Sequence, residues 1–240
     1  KEVTIENERQ ELASTDIIEI GNENISDVNI GFIELQNFDL RLEKFVSRIL
    51  IQDTSGSTVR EYDNEQLAKA ELDAKRINGA TVIIEYKIRI SNVGEVDGYV
   101  KKIVDYMPTD LTFNSELNKD WYQTSDGLYN TSLANEIIPA GEYREVSLTL
   151  TKSMTEDNTG LINNTAEIAE DYNELGIKDS NSTPANRANN ENDYSSADVI
   201  LSIRTGGAVY AGIIIGVIAV LGIIAYVIIR KKAKNNKKGI

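Results

Sequence analysis

The sequence predicts an all-β fold, an antiparallel β-sandwich followed by a single C-terminal transmembrane helix. Three observations carry this prediction. Between residues 37 and 203, apolar and polar residues alternate in short runs bounded by turn-forming residues, as in strands with one buried face. No strongly amphipathic helical segment separates these runs, which favours an antiparallel sandwich. Residues 208–229 then form one run of twenty-two residues without a charge.

The first predicted strand of the sandwich follows a polar segment. Residues 1–36 are acidic and show no sustained period, and we interpret them as a linker and the end of a preceding module. From Asp39 the pattern changes to period two, and one face of the strand carries Leu40, Leu42, Lys44 and Val46. A lysine on an otherwise apolar face needs an explanation beyond packing.

Five further stretches alternate in the same way and complete a domain over residues 37–203. They are residues 81–91, 98–106, 142–151, 161–169 and 197–203. Shorter strand candidates are KAELD at 69–73, LTFN at 111–114 and LYNTS at 128–132. A domain of about 165 residues is large enough for one well-buried core.

The C-terminal part of the chain predicts a membrane anchor. After a short tether at 204–207, residues 208–229 are long enough, at ~1.5 Å per residue, to cross the ~30 Å hydrocarbon core as a helix. The tail at 230–240 is basic, which predicts that it is cytoplasmic and that the preceding domain is extracellular, in a single-pass protein of the cell membrane. Gly212 and Gly216 could let two such helices pack as a dimer.

Composition excludes several classes of function. The net charge of −13 disfavours nucleic acid and anionic lipid as partners. Without cysteine or histidine, the chain cannot form disulfides, thiol nucleophiles, the usual catalytic triads or typical zinc sites. We therefore expect neither an enzyme nor a bound cofactor. Because the chain begins at Lys1 with no visible signal peptide, we interpret it as the carboxyl-terminal piece of a longer precursor.

Several motifs resemble those of a known family. FDLRLEKFV, TVIIEYKIRISNVGEVDGY, IVDYMPTDLTF, INNTAEI and the segment DSNSTPAN…ENDYSSADVIL occur in this order between residues 37 and 203. They resemble the conserved repeat domain of Gram-positive bacterial surface proteins, known as domain of unknown function eleven and akin to adhesin and pilin stalk modules. The resemblance implies an Ig-like sandwich in an anchored surface protein, usually one of several in tandem.

Related stalk modules often carry an isopeptide bond, formed when a strand lysine attacks an asparagine side chain beside a carboxylic acid. Burial favours this reaction because it keeps the amine neutral and the acid protonated. Lys44, Asn164 and Asp105 match that pattern, so the resemblance implies a Lys44–Asn164 bond assisted by Asp105. The alternative is that Lys44 snorkels at a strand edge, Asn164 bonds to backbone and Asp105 caps a loop. Glu85 is a substitute acid that we expect to face outward.

Three other features suggest sites but select none firmly. The loop 170–194 is rich in carboxylates and amides that suit calcium, although its spacing differs from an EF-hand and such loops are usually solvated. Thr205 and Gly206 fit part of a sortase signal that lacks its leucine and proline. Trp121 with Tyr122 and Tyr129 could form a sugar-stacking or protein-contact patch, but we expect Trp121 to belong to the core.

Three functional hypotheses follow. The first is a membrane-proximal extracellular stalk that displays upstream adhesive modules. The second is a binding module that contacts a host glycan or surface protein through the loops between 107 and 135. The third is a carboxylate-based glycosidase, which would need two carboxyls held ~5–10 Å apart in a cleft. No pair of the 38 acidic residues is singled out by the sequence for that role.

Overall fold

A computed structural model describes Val3–Ile5, Glu11–Ala13 and residues 36–204. The chain divides into two units, residues 1–35 and 36–240. In the first unit, strands β1 (Val3–Ile5) and β2 (Glu11–Ala13) pair in antiparallel fashion. The predicted tether beyond residue 204, the helix at 208–229 with Gly212 and Gly216, Thr205 and the basic tail lie outside the described residues. No helix among the described residues is long and apolar enough to cross a membrane.

Within residues 36–204, the regular secondary structure of the second unit consists of strands and one short helical turn. The strands are β3 (Leu40–Asp53), β4 (Gly56–Glu65), β5 (Leu67–Asp73), β6 (Thr81–Asn92), β7 (Tyr99–Tyr106), β8 (Thr112–Phe113), β9 (Trp121–Gln123), β10 (Leu128–Asn130), β11 (Tyr143–Ser153), β12 (Gly160–Tyr172) and β13 (Tyr194–Arg204). A single turn of 3₁₀-helix spans Glu156–Asn158. Every strand predicted from the sequence is present.

Two sheets enclose the core, which confirms the predicted all-β sandwich. One has the strand order β4-β3-β6-β11-β8 and the other β5-β13-β12-β7-β10-β9. All pairs in these sheets are antiparallel except β5 with β13, which is parallel and corrects the fully antiparallel prediction. The sequence pattern missed β4 and β9. In β4 no residue is buried, so an alternation of apolar and polar residues has no reason to appear.

Alternation explains how the strands face the core. In β6 every second residue from Val82 to Asn92 is buried, so this strand places one complete face inside. The same holds for β3 up to Val46, after which a bulge before Arg48 shifts the phase and buries Ile49 and Ile51.

Strand β3 lies close to both sheets. It pairs with β6 in one sheet, while Leu42 N donates to Asn192 O (2.9 Å) and Lys44 N donates to Ser195 Oγ (3.1 Å), both near the start of β13 in the other. These bonds fix the backbone of Lys44 at the seam between the sheets. Its side chain therefore enters the core where β7 and β12 of the opposite sheet can reach it.

Candidate functional site

The structure brings together the three residues that the sequence singled out. Lys44 lies on β3, Asp105 on β7 and Asn164 on β12, and each is completely buried. Because β7 and β12 are neighbours, with Asp105 opposite Ala166, the inward faces of these two strands place Asp105 and Asn164 side by side. Lys44 reaches them from the other sheet. The site thus lies inside the sandwich, between its two layers.

Asp105 is the residue that links the other two. Its Oδ2 atom forms an ion pair with Lys44 Nζ, and Asn164 Nδ2 lies 3.5 Å from the same oxygen. The amine and the amide therefore meet at one carboxylate atom. The Lys44 ammonium also lies 4.7 Å from the centre of the Tyr86 ring, which closes the site from the β6 side.

Burial controls the protonation of this cluster. Loss of hydration lowers the pKa of Lys44, against the raising effect of the nearby Asp105. The same loss raises the pKa of Asp105, against the lowering effects of Lys44 and Asn164. Both shifts favour the neutral forms, an amine and a carboxylic acid. A neutral amine is a nucleophile, and a protonated carboxyl can donate a hydrogen bond to an amide.

Three buried polar atoms of the cluster have no hydrogen-bond partner within residues 36–204. They are Asp105 Oδ1, Asn164 Oδ1 and the Tyr86 hydroxyl. Orphaned polar atoms of this kind are rare in folded proteins because each costs a hydrogen bond to water. Here the amide oxygen is free of competing donors, while a protonated Asp105 and the Tyr86 hydroxyl are two donors that could serve it during a reaction.

Tyr86 is the member of the cluster that the sequence reasoning missed. It lies on the inner face of β6 between Ile84 and Ile88 and is fully buried. Burial raises its pKa strongly, and Asn164 opposes that shift through its side chain, although the two groups do not close a hydrogen bond of ordinary geometry. The available signal is a hydroxyl-bearing ring between isoleucines on the inward face of β6.

The other residues that the sequence singled out, Glu85 and the aromatic residues of β9 and β10, lie outside the buried cluster. Glu85 faces outward, where its Oε2 accepts from Arg48 at 2.8 Å. Trp121 is buried and its Nε1 donates to Ser147 O at 2.8 Å, so it belongs to the core as expected. Tyr122 and Tyr129 stack on the surface with ring centres 5.8 Å apart.

Carboxylate oxygens in the acidic loop at 170–194 accept hydrogen bonds from the protein itself. Asp179 Oδ2 accepts from Leu40 N at 2.8 Å, and Glu191 accepts from Thr183 N at 2.7 Å. Across the residues that the structure describes, no group of three or more acidic side chains could hold a metal ion. The loop is therefore organised by hydrogen bonds to backbone and amide groups.

Comparisons with known proteins give little further guidance. No protein-family model matches the chain, and no curated protein matches it. Among solved structures, it is similar to the CARDB domain of a Pyrococcus furiosus protein, determined in solution (14% identity over 70% of this chain and 98% of that one, TM-score 0.32). A crystal structure of that domain in complex with di-metal ions gives 14% identity, 72% and 100% coverage and a TM-score of 0.31. Likeness at this level carries no functional argument.

Proposed function

We propose that residues 37–203 form an Ig-like stalk module of a membrane-anchored, extracellular bacterial surface protein, stiffened by an isopeptide bond between Lys44 and Asn164. The observation that carries this proposal is the complete burial of an amine, a carboxyl and an amide that converge on Asp105 Oδ2. The resemblance of several motifs to those of surface-protein repeats and the apolar run at 208–229 support the anchored location.

The proposed reaction needs no external reagent. Neutral Lys44 Nζ attacks the side-chain carbonyl carbon of Asn164 while protonated Asp105 hydrogen-bonds to the amide and polarises it. Asp105 then carries a proton from Nζ to the departing Asn164 Nδ2, which leaves as ammonia. One N–C bond forms, one breaks, and Asp105 regains its proton. Tyr86 is placed to donate to the oxygen on which negative charge develops.

The bond would join the two sheets of the sandwich. It connects β3 with β12, so the segment between Lys44 and Asn164 becomes a closed covalent loop. By analogy with disulfides, closing a loop of about 120 residues stabilises the folded state by about 5 kcal/mol through the entropy of the unfolded chain. A force applied along the chain would bypass that loop, which suits a module that bears load between a surface and a distal domain.

Tryptic mapping of the full chain tests the bond directly. Trypsin cannot cleave after an acylated lysine, so we expect residues 42–48 to remain intact at Lys44 and to be joined to residues 153–178, which contain Asn164. Recovery of separate peptides cleaved after Lys44 would contradict the proposal.

Single-molecule extension tests the load-bearing role. With the bond in place, pulling residues 36–204 apart should release only the segments outside the loop, about 170 Å of chain at ~3.5 Å per residue. Without the bond the release should be about 600 Å. A full-length release would show that no covalent bond closes the segment between Lys44 and Asn164. If the release is short but the crosslinked protein unfolds at the same force as Lys44→Ala, the bond forms and the load-bearing role is wrong.

A further inference from the structure

An open pocket of about 340 Å³ lies apart from the crosslink site, at the end of β7. Its walls are Tyr106 and Met107, the turn between β9 and β10 at 123–128, and Arg187 from the loop before β13. None of these residues takes part in the proposed isopeptide chemistry. The pocket opens within the region 107–135, where the sequence hypotheses include contact with a glycan.

Register places an aromatic platform beside this pocket. Tyr122 is opposite Tyr129, Tyr129 is opposite Val104, and Val104 is opposite Glu167, so these four side chains form one row across β9, β10, β7 and β12. The two tyrosine rings stack at an interplanar angle of 23°, and Tyr122 is 45% exposed. The row therefore presents an apolar, flat surface at its outer end.

Glu167, at the inner end of the row, holds Arg187 in position. Its buried carboxylate accepts the backbone N–H groups of Asn186 (2.8 Å) and Arg187 (2.9 Å) at one oxygen, and the Tyr106 hydroxyl (2.6 Å) at the other. The Arg187 guanidinium lies over the Tyr106 ring, 4.1 Å from its centre. One fully buried residue thus fixes both the backbone and the ring on which Arg187 rests.

The backbone around Arg187 is strained, and the guanidinium has no carboxylate partner within residues 36–204. Ala185 and Arg187 have φ of 58° and 59°, a conformation that non-glycine residues adopt at a cost. Within residues 36–204, no carboxylate forms an ion pair with the Arg187 guanidinium. The nearby Asp126 instead accepts from Thr124 Oγ1 and from the Tyr129 hydroxyl at 2.7 Å.

The pocket and the tyrosine pair beside it combine three chemistries. A planar guanidinium fork binds a carboxylate in bidentate fashion, Asp126 and the polar 123–127 turn can bond to hydroxyls, and exposed tyrosine faces pack against the apolar side of a sugar ring. A polyanion would be repelled by a chain of net charge −13, whereas a ligand with one negative charge can be held locally. We infer that this pocket binds a saccharide that carries a single carboxylate. The inference is independent of the isopeptide bond.

The test is a titration of the full chain with 3′-sialyllactose and, as the neutral comparison, with lactose. Binding is measured by calorimetry or by chemical-shift changes. We expect binding of sialyllactose and at least tenfold weaker binding of lactose, because only the former supplies a charge-assisted bond to Arg187. Arg187→Gln should lose that preference, and Tyr122→Ala should weaken binding of the sugar itself. Arg60→Gln removes an equal charge from exposed β4 and should leave the affinity unchanged.

Three outcomes would overturn the inference. They are no binding of sialyllactose at millimolar concentration, equal binding of lactose, and unchanged binding by Arg187→Gln in a variant that melts at the temperature of the parent. A short peptide with a free C-terminal carboxylate serves as a further probe. If it binds and sialyllactose does not, the pocket recognises carboxylates but the saccharide assignment is wrong.

Discussion

The sandwich contains two buried lysines, each paired with an aspartate, and they differ in the surroundings of the acid. Lys44 and Asp105 are both fully inaccessible, and Asn164 lies beside them. Lys152 is 3% exposed, but its partner Asp110 is 46% exposed, and no side-chain amide within residues 36–204 is hydrogen-bonded to either. Asp110 therefore remains in contact with water.

This difference separates a reactive pair from an ordinary one. An ion pair with a hydrated partner needs no protonation change and stabilises the fold only slightly. A pair sealed from water meets a large desolvation cost, which favours the neutral amine and acid that amide chemistry needs. Burial of both partners, together with a neighbouring amide, distinguishes the Lys44 site; a lysine on a core face alone does not.

The largest expected difference between the two pairs is in stability. Lys44→Met should lower the free energy of unfolding by about 5 kcal/mol because the crosslink is lost, and by about 1–3 kcal/mol more because the buried Asp105 carboxyl loses a hydrogen-bond partner. Lys152→Met, the matched change, should cost less than about 1 kcal/mol since Asp110 remains solvated. Denaturant unfolding of both variants checks this. Equal losses would show that the two sites are equivalent.

Replacing the aspartate of each pair should affect the rate of isopeptide formation at the Lys44 site alone. Asp105→Asn keeps the shape of the side chain but removes the proton carrier, so bond formation should slow by about 10²–10⁴-fold. Asp110→Asn should leave bond formation unchanged. The mass of newly translated protein, followed over time, gives both rates. A normal rate in Asp105→Asn would assign catalysis to another group.

Tyr86 is expected to have a smaller effect. Tyr86→Phe removes only the hydroxyl that faces Asn164. The rate of bond formation should fall by up to about 100-fold, and the reaction should still reach completion. The same time course measures it. Tyr62→Phe is the matched control because the Tyr62 hydroxyl donates to Lys69 O (2.7 Å) outside the site. If both tyrosine variants react at the parental rate, Tyr86 has only a packing role.

Asp193 is another buried acid, and it has no lysine partner among residues 36–204. Burial, with smaller contributions from Glu167, Glu191 and Asp179, raises the pKa of Asp193 to about 7, and neither of its oxygens has a partner within residues 36–204. The folded state therefore binds this proton more tightly than the unfolded state. Its stabilising contribution is complete below pH ~4 and is lost as the pH rises through about 7.

Asp193→Asn removes this dependence because the amide is neutral at every pH. The variant should melt at a progressively higher temperature relative to the parent between pH 5 and pH 8. Asp198→Asn, at a residue on β13 that bonds to Asn163 on the surface, is the control and should show no such trend. A constant difference between Asp193→Asn and the parent across that range would place the titrating group elsewhere.

Period two reports which side chains face inward, so the sequence predicted the sandwich, three residues of the cluster and every strand of the two sheets except β4 and β9. Lys44 stood out as a charge on an apolar face, and Asp105 and Asn164 followed from the resemblance and from their strand faces. The parallel β5–β13 pair could not be predicted, since pairing partners depend on tertiary contacts. Tyr86 and Arg187 were missed for a related reason: their roles depend on neighbours that lie far away in the sequence.

The intact mass of the full chain, measured beside those of Lys44→Ala and Asn164→Ala, shows whether the isopeptide bond forms. We expect the parent to be lighter than its sequence by one ammonia molecule and both variants to have their full calculated masses. A parent at full mass would contradict this expectation. The buried cluster would then be an unreacted ion pair, and Lys44 would need an explanation in packing alone.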